Sequence, residues 1–314
     1  MIEKEDCMNI LRRIIVGTVL SLIAAAASAD LKVATSIEDL ASVATFVGGA
    51  HVKAFSLCKG YQDPHFVPAK PSLMRLIRDA DVFVSVGLGL DEGWLPLVLP
   101  GSRNPRIQPG APGFVDASEG VAVIDKPVGT VSRAEGDVHP LGNPHYYMDP
   151  ANLIVVASHL ARVFAELDPA NATVYERNAK AFAAKMQAQS KAWEATLAPY
   201  HGASIVTFHR NFEYFLARFG LKRFGTVEPR PGIPPAPRYL AELAASMKRE
   251  GVRVVVYQPY FDANASRGLA SRAGGAAVEA PTEVGGVPEA GDVFAKFQVD
   301  VDRIAVALQA GAAR

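Results

Sequence analysis

The sequence predicts an α/β fold of two lobes, with mainly parallel sheets flanked by helices, joined by one long linker helix. Two observations carry that expectation. Short apolar runs alternate with segments of helical spacing before residue 100 and again after residue 200, the pattern of parallel strands with helical crossovers. Between them, residues 169 to about 197 hold no glycine and, beyond Pro169, no proline. A helix through that stretch would span roughly 40 Å, long enough to bridge two lobes.

The elements follow in order. Residues 31–35 (LKVAT) read as a buried strand, and 37–46 have helical spacing before the stop at Gly48-Gly49. A strand at 52–57, a helix at 72–79 and a strand at 82–86 (VFVSV) come next. Residues 101–149 are rich in glycine and proline and read mostly as loops. A helix covers 151–167. Asp168-Pro169 breaks it and starts the linker, on which Tyr175, Ala179, Phe182, Met186 and Trp193 form an apolar stripe. After Pro199 the alternation restarts: strand 204–208 (SIVTF), helices 212–219 and 239–250, strand 252–257 (VRVVVY), helix 266–273, strand 276–278 and helix 294–308. The resulting division is a signal peptide at 1–29, an N-terminal lobe at 30–168, a linker helix at 169–198 and a C-terminal lobe at 199–314.

Composition narrows the function. The 314 residues suit two domains, and 49% are hydrophobic, enough for sizeable cores. Lys and Arg equal Asp and Glu at 32 each, so the basic excess needed for nucleic acid is missing. Arg12 and Arg13 precede an apolar run at 14–27 that ends in Ala27-Ser28-Ala29. This is the pattern of a secretory signal cleaved near Ala29, and it predicts a periplasmic protein. The run is too short to span a bilayer comfortably. Met8 suits the start of such a signal better than Met1, because Glu3, Glu5 and Asp6 are out of place there. Cleavage removes Cys7 and leaves Cys58 alone, which excludes an intramolecular disulfide and a Cys-rich zinc site. A metal site would have to use histidine and carboxylates.

There are seven histidines: His51, His65, His139, His145, His159, His201 and His209. Three occupy comparable places. His65 lies in QDPHFVP after the second strand, His145 in NPHYYMDP just before a helix, and His209 directly after SIVTF. Ligands of open α/β sheets bind beyond the carboxyl ends of the strands. Two of these residues belong to the first lobe and one to the second, so they could converge in the cleft between them. Neutral imidazole suits Zn2+ and other late first-row metals. Loop histidines are nevertheless more often surface or structural residues, and spacing by itself does not decide. The bland reading serves for the others: His51 as a surface residue at the start of a strand, His139 as a loop residue whose alternative is a transient metal contact, His159 packed or solvated on a helix, and His201 at the linker's end, where the helix dipole favours a cation.

The fragments QDPH, NPHYYMDP and TFHRNFEYF resemble the three histidine motifs of the zinc/manganese substrate-binding proteins of ABC importers, the cluster A-I or ZnuA/TroA-like family. Their order fits that family from residue 31 to 308, and VPEAGDVF at 287–294 resembles its C-terminal region. The resemblance implies a monomer that holds a transition-metal ion between two lobes and delivers it to a membrane ABC permease, without catalysis. It implies His65 and His145 as first-lobe ligands and His209 as the second-lobe ligand. The family's fourth ligand is usually an aspartate after the last strand of the second lobe. Here that stretch, EAPTEVGG, has no aspartate, and Glu283 is the nearest carboxylate. Glu228, Asp262 or water are rivals for that place. Three imidazoles with at most one carboxylate favour Zn2+ over Mn2+, which prefers more oxygen ligands. The His-rich loop of many zinc-importing relatives is missing, since 119–143 holds only His139. The alternatives are a metal-dependent hydrolase, or a manganese-binding, storage or adhesin protein on the same scaffold. No HExxH or GxSxG supports the first.

Overall fold

The computed structural model describes residues 30–127, 139–230 and 232–312. The expected signal peptide at 1–29 lies outside these described residues.

The first sheet is built from β1 (Leu31–Thr35), β2 (Val52–Ser56), β3 (Val82–Ser85) and β4 (Phe114–Asp116). Its helices are α1 (Glu38–Gly48), α2 (Pro71–Leu76) and α3 (Leu95–Gly101). All pairings are parallel, in the order β2-β1-β3-β4. β3 is buried at every position, the signature of a strand covered on both faces. Gly49 ends α1 at φ 56°, a conformation glycine adopts without steric cost. Two helices follow: α4 (Pro150–Leu167), capped by Asp149 through the Ala151 N–H, and the long α5 (Ala172–Leu197).

The second sheet repeats the plan with β5 (Ser204–Thr207), α6 (Glu213–Arg218), β6 (Lys222–Thr226), α7 (Pro237–Glu250), β7 (Val254–Tyr257), α8 (Ala263–Ala273), β8 (Ala276–Glu279) and α9 (Val293–Ala312). Its order is β6-β5-β7-β8, again all parallel. In each sheet the order turns about its first strand. The sites beyond β1 and β3, and beyond β5 and β7, are therefore the switch points where such sheets bind ligands.

Four details differ from expectation. β4 lies inside the stretch read as loops, and neither α3 nor β6 is among the expected elements. The linker does not begin as an α-helix at Pro169, because Pro169–Asn171 is a 3-10 turn and α5 starts at Ala172.

The long helix is sandwiched between elements from both ends of the chain. Phe182 of α5 meets Phe46 of α1 and Phe294 of α9 at ring-centroid distances of 5.2 Å each, and Phe46 and Phe294 are 5.8 Å apart. Each such aromatic pair adds about 0.5–1.5 kcal/mol beyond the area it buries. Farther along α5, Trp193 packs on Phe297 at 5.3 Å and donates to the Gln298 side chain at 2.9 Å. Beside this wedge, the fully buried Lys296 ammonium of α9 lies 2.6 Å from the carboxylate of Asp39 in α1. Lys296 also donates to the carbonyls of Tyr147 and Thr282, and Asp39 accepts the N–H of Val284. Leu31–Arg314 forms one compact unit with these contacts. Among the described residues, no helix is long and apolar enough to cross a membrane.

Candidate metal centre

Two of the candidate histidines are held by the same short device. In Asp63-Pro64-His65, the Asp63 carboxylate accepts the backbone N–H of His65 at 3.0 Å and contacts its ring Nδ1 at 2.7 Å. In Asn143-Pro144-His145, the Asn143 Oδ1 accepts the backbone N–H of His145 at 3.0 Å and contacts its Nδ1 at 3.0 Å. A short Asx side chain folding onto the backbone two residues ahead is an Asx turn, and the intervening proline fixes the backbone in between. Each turn is anchored from outside. The Trp94 indole donates to the carbonyl of Pro64 at 2.9 Å. The Asn143 amide donates to the carbonyl of Arg210 at 3.0 Å, and Tyr214 donates to the carbonyl of Asn143 at 2.8 Å.

His209 follows β5 at the second switch point. Its Nδ1 lies 3.0 Å from Glu228 Oε2, and the N–H of Glu228 is bonded to the carbonyl of Phe208. Phe208 stacks on Phe261 at 4.2 Å and closes the other side.

These partners assign the tautomers. The oxygens of Asp63, Asn143 and Glu228 accept, so Nδ1 carries the proton in all three rings and Nε2 presents its lone pair. The three rings lie 5.2–5.5 Å apart between centroids. One ligand atom from each of His65, His145 and His209 falls within 4.8 Å of the others. His145 Nε2 is buried and has no hydrogen-bond partner. An orphaned buried acceptor is costly unless a ligand uses it. The donor set therefore fits a metal ion that takes nitrogen ligands, with Nδ1 partners that orient each ring.

Burial disfavours charge on two of these rings. It pushes the His145 imidazole well below its ordinary range, with the nearby charges of His65 and His209 adding to the effect. It also lowers His209, although the Glu228 hydrogen bond works against it. Burial would raise Asp63, but its hydrogen bonds with the ring and the backbone N–H of His65 outweigh this and hold the carboxyl below its usual value. Neutral imidazole is the form that binds metal.

The carboxylates expected as fourth ligands are each engaged by other groups. Glu283 is not among the residues whose ligand atoms converge. Its two oxygens accept from Tyr147 Oη at 2.9 Å and from Thr282 Oγ1 at 2.6 Å, and burial pushes its pKa up to about 8. Glu228 orients His209, and Asp262 caps α8 through the Asn264 N–H. One residue that the sequence suggests as a loop residue, with at most a transient metal contact, stands at the site: His139 Nε2 is 3.3 Å from His65 Nε2. Its only sequence signal was being the lone histidine between residues 119 and 143. The Asx-Pro-His repeat was also legible in the sequence, but its orienting role was not recognised.

Comparison with known proteins adds to this geometry. The family model described as zinc-uptake complex component A, periplasmic, matches residues 33–307. The high-affinity zinc uptake system protein ZnuA of Brucella abortus is 31% identical over 118 residues, which is 38% of this chain and 35% of that protein. The matched segment thus spans about a third of that relative's length. A crystal structure of ZnuA superposes with a TM-score of 0.74 at 21% identity, covering 88% of this chain and 99% of the other. The FpvC binding protein of Pseudomonas aeruginosa, in complex with Mn2+, superposes at 0.70 with 24% identity, covering 90% and 99%. Both likenesses are likenesses of fold.

Proposed function

The chain belongs to the periplasmic zinc-uptake component A family, and from that premise we propose that it captures a transition-metal ion, Zn2+ before Mn2+, and delivers it to a membrane ABC permease. Members of this family are solute-binding proteins, not enzymes. In this reading the chain works as an exported monomer in the periplasm. Its lobes are residues 30–168 and 199–314, with 169–198 as the linker.

The observation that carries the reading is the trio of Nε2 lone pairs from His65, His145 and His209, one of them buried and unpartnered. The first two ligands come from beside the first sheet and the third from the end of β5, so one ion ties the two halves together. A borderline ion with tetrahedral preference suits an all-nitrogen cluster better than Mn2+ does. Hydrolysis is disfavoured because Asp63, Glu228 and Glu283, the carboxylates nearest this chemistry, are each engaged by other groups and not poised as a general base.

The test is elemental analysis of the mature protein followed by competitive Zn2+/Mn2+ titration. One equivalent of zinc, bound in preference to manganese and lost in His145→Ala, supports the reading. Zinc affinity that is unchanged in His145→Ala overturns it.

A further inference from the structure

We propose that His139 supplies a fourth imidazole to the same ion, so that the loaded site is a four-histidine centre and Glu283 stays outside it. The inference rests on the three-histidine reading and extends it to a residue on the segment that precedes the second histidine motif.

The argument is one of lone pairs. His65 Nδ1 faces the Asp63 carboxylate, an acceptor, so the His65 proton sits on Nδ1 and its Nε2 is bare. The His139 ring is hydrogen-bonded to the backbone of Gly89, which places a ring N–H on that side. The ring nitrogen on that side is Nδ1, which would lie 3.5 Å from a Cβ built on Gly89. His139 Nε2 is then bare as well. Yet the two Nε2 atoms face each other at 3.3 Å. Two lone pairs at that distance repel unless a cation lies between them. With metal–nitrogen bonds of about 2.0–2.1 Å, the edge of a tetrahedral zinc site is also roughly 3.3–3.4 Å.

The local backbone supports this placement. The N–H of Gly142 is bonded to the carbonyl of His139, and the N–H of Asn143 to that of Ile124. Gly142 takes φ 113°, a turn conformation that suits glycine. Gly89, at φ 85°, has no side chain where the imidazole lies. The same turn leads directly into Asn143, which orients His145, so one short segment places two of the four rings. His139 lies outside the group whose ligand atoms are all within 4.8 Å. Its closest ring is His65 at 5.4 Å between centroids, and His145 is at 6.2 Å. It therefore joins the ion from the His65 side by a small inward shift. Glu283 already accepts from Tyr147 and Thr282, one with each of its oxygens.

The experiment uses the full mature protein loaded with Co2+ for its visible d–d spectrum and with Zn2+ for X-ray absorption, alongside chelator competition for zinc affinity. Wild type is expected to show four imidazoles around zinc. His139→Ala is expected to show three, an altered Co2+ spectrum and zinc affinity weakened by about 100-fold, the scale of losing one ligand. His139→Asn, which keeps a polar side chain in the turn, should behave alike and controls for misfolding. Glu283→Gln should leave the Co2+ spectrum unchanged. An unchanged Co2+ spectrum and zinc affinity in both His139 variants overturns the inference, as does a spectrum that changes in Glu283→Gln. Failure of the underlying reading is distinct, since His145→Ala would then also be silent.

Discussion

Asn143 and His145 are joined twice, with one amide oxygen accepting both the backbone N–H and the ring Nδ1–H of the histidine two residues on. The other end of the same amide holds the carbonyl of Arg210, next to His209. A single side chain thus sets the tautomer of one ligand and ties its loop to the loop of another.

Replacing Asn143 with Ala should weaken zinc binding by about 10–100-fold, the usual effect of losing an orienting partner. Asn143→Asp, which keeps the acceptor but loses the donor to Arg210, should recover part of that loss. Chelator-competition titration of both variants decides this. Equal losses in the two would show that the acceptor is unimportant.

Glu228→Gln should weaken zinc binding less than Glu228→Ala. Gln retains an oxygen to accept the His209 Nδ1–H, whereas Ala removes it. Calorimetric titration should rank the proteins wild type, then Gln, then Ala.

Acid should release the metal and destabilise the metal-free protein. The folded pKa values of His145 and His209 are depressed by burial below the ordinary histidine value of 6.5. The unfolded chain therefore binds more protons just below that pH. The associated stability is present above about pH 6.5 and is lost as pH falls from there toward the folded values. Thermal melts of metal-free protein should show Tm falling below pH 6.5, with a shallower slope in His145→Phe. A slope unchanged by that substitution would assign the acid loss to other groups.

Glu283 predicts the opposite sign. Its pKa is raised by burial from 4.5 to about 8, so the folded state binds the extra proton across that window. Its contribution is complete below pH 4.5 and is lost as pH rises through about 8. Glu283→Gln mimics the neutral form and should raise Tm at pH 8.5 more than at pH 5. Equal shifts at both values would show that the carboxyl does not change charge between them.

Lys296→Met should destabilise the fold by about 3–5 kcal/mol, because it leaves the Asp39 carboxylate buried without its partner. Adding Asp39→Asn should restore part of that loss. Denaturant unfolding of the single and double variants measures the coupling.

Much of this was legible in the sequence for identifiable reasons. Runs such as VFVSV and VRVVVY announce strands buried on both faces, and α5 announces itself by the lack of helix breakers. β4 escaped because it is three residues long, lies among glycines and prolines, and buries only Val115. β6 escaped because it is an edge strand, exposed at Lys222 and Arg223, with a glycine inside it. The three motif histidines stood out by position. Their partners did not, because Asp63 and Asn143 look like ordinary turn residues, and Glu228 lies 19 residues from the ring it holds. The place of His139 depends on a fold-back of the chain onto Gly89, which no local pattern encodes.

The wedge of Phe46, Phe182 and Phe294 bears on how cargo leaves. A vice welded along its back cannot unload by swinging its jaws apart. Unloading must start locally, with one imidazole letting go and the others following. A docking partner that only pries at the mouth would then suffice, and the exchange rate would follow the stiffness of a few short turns, leaving the rest of the protein still.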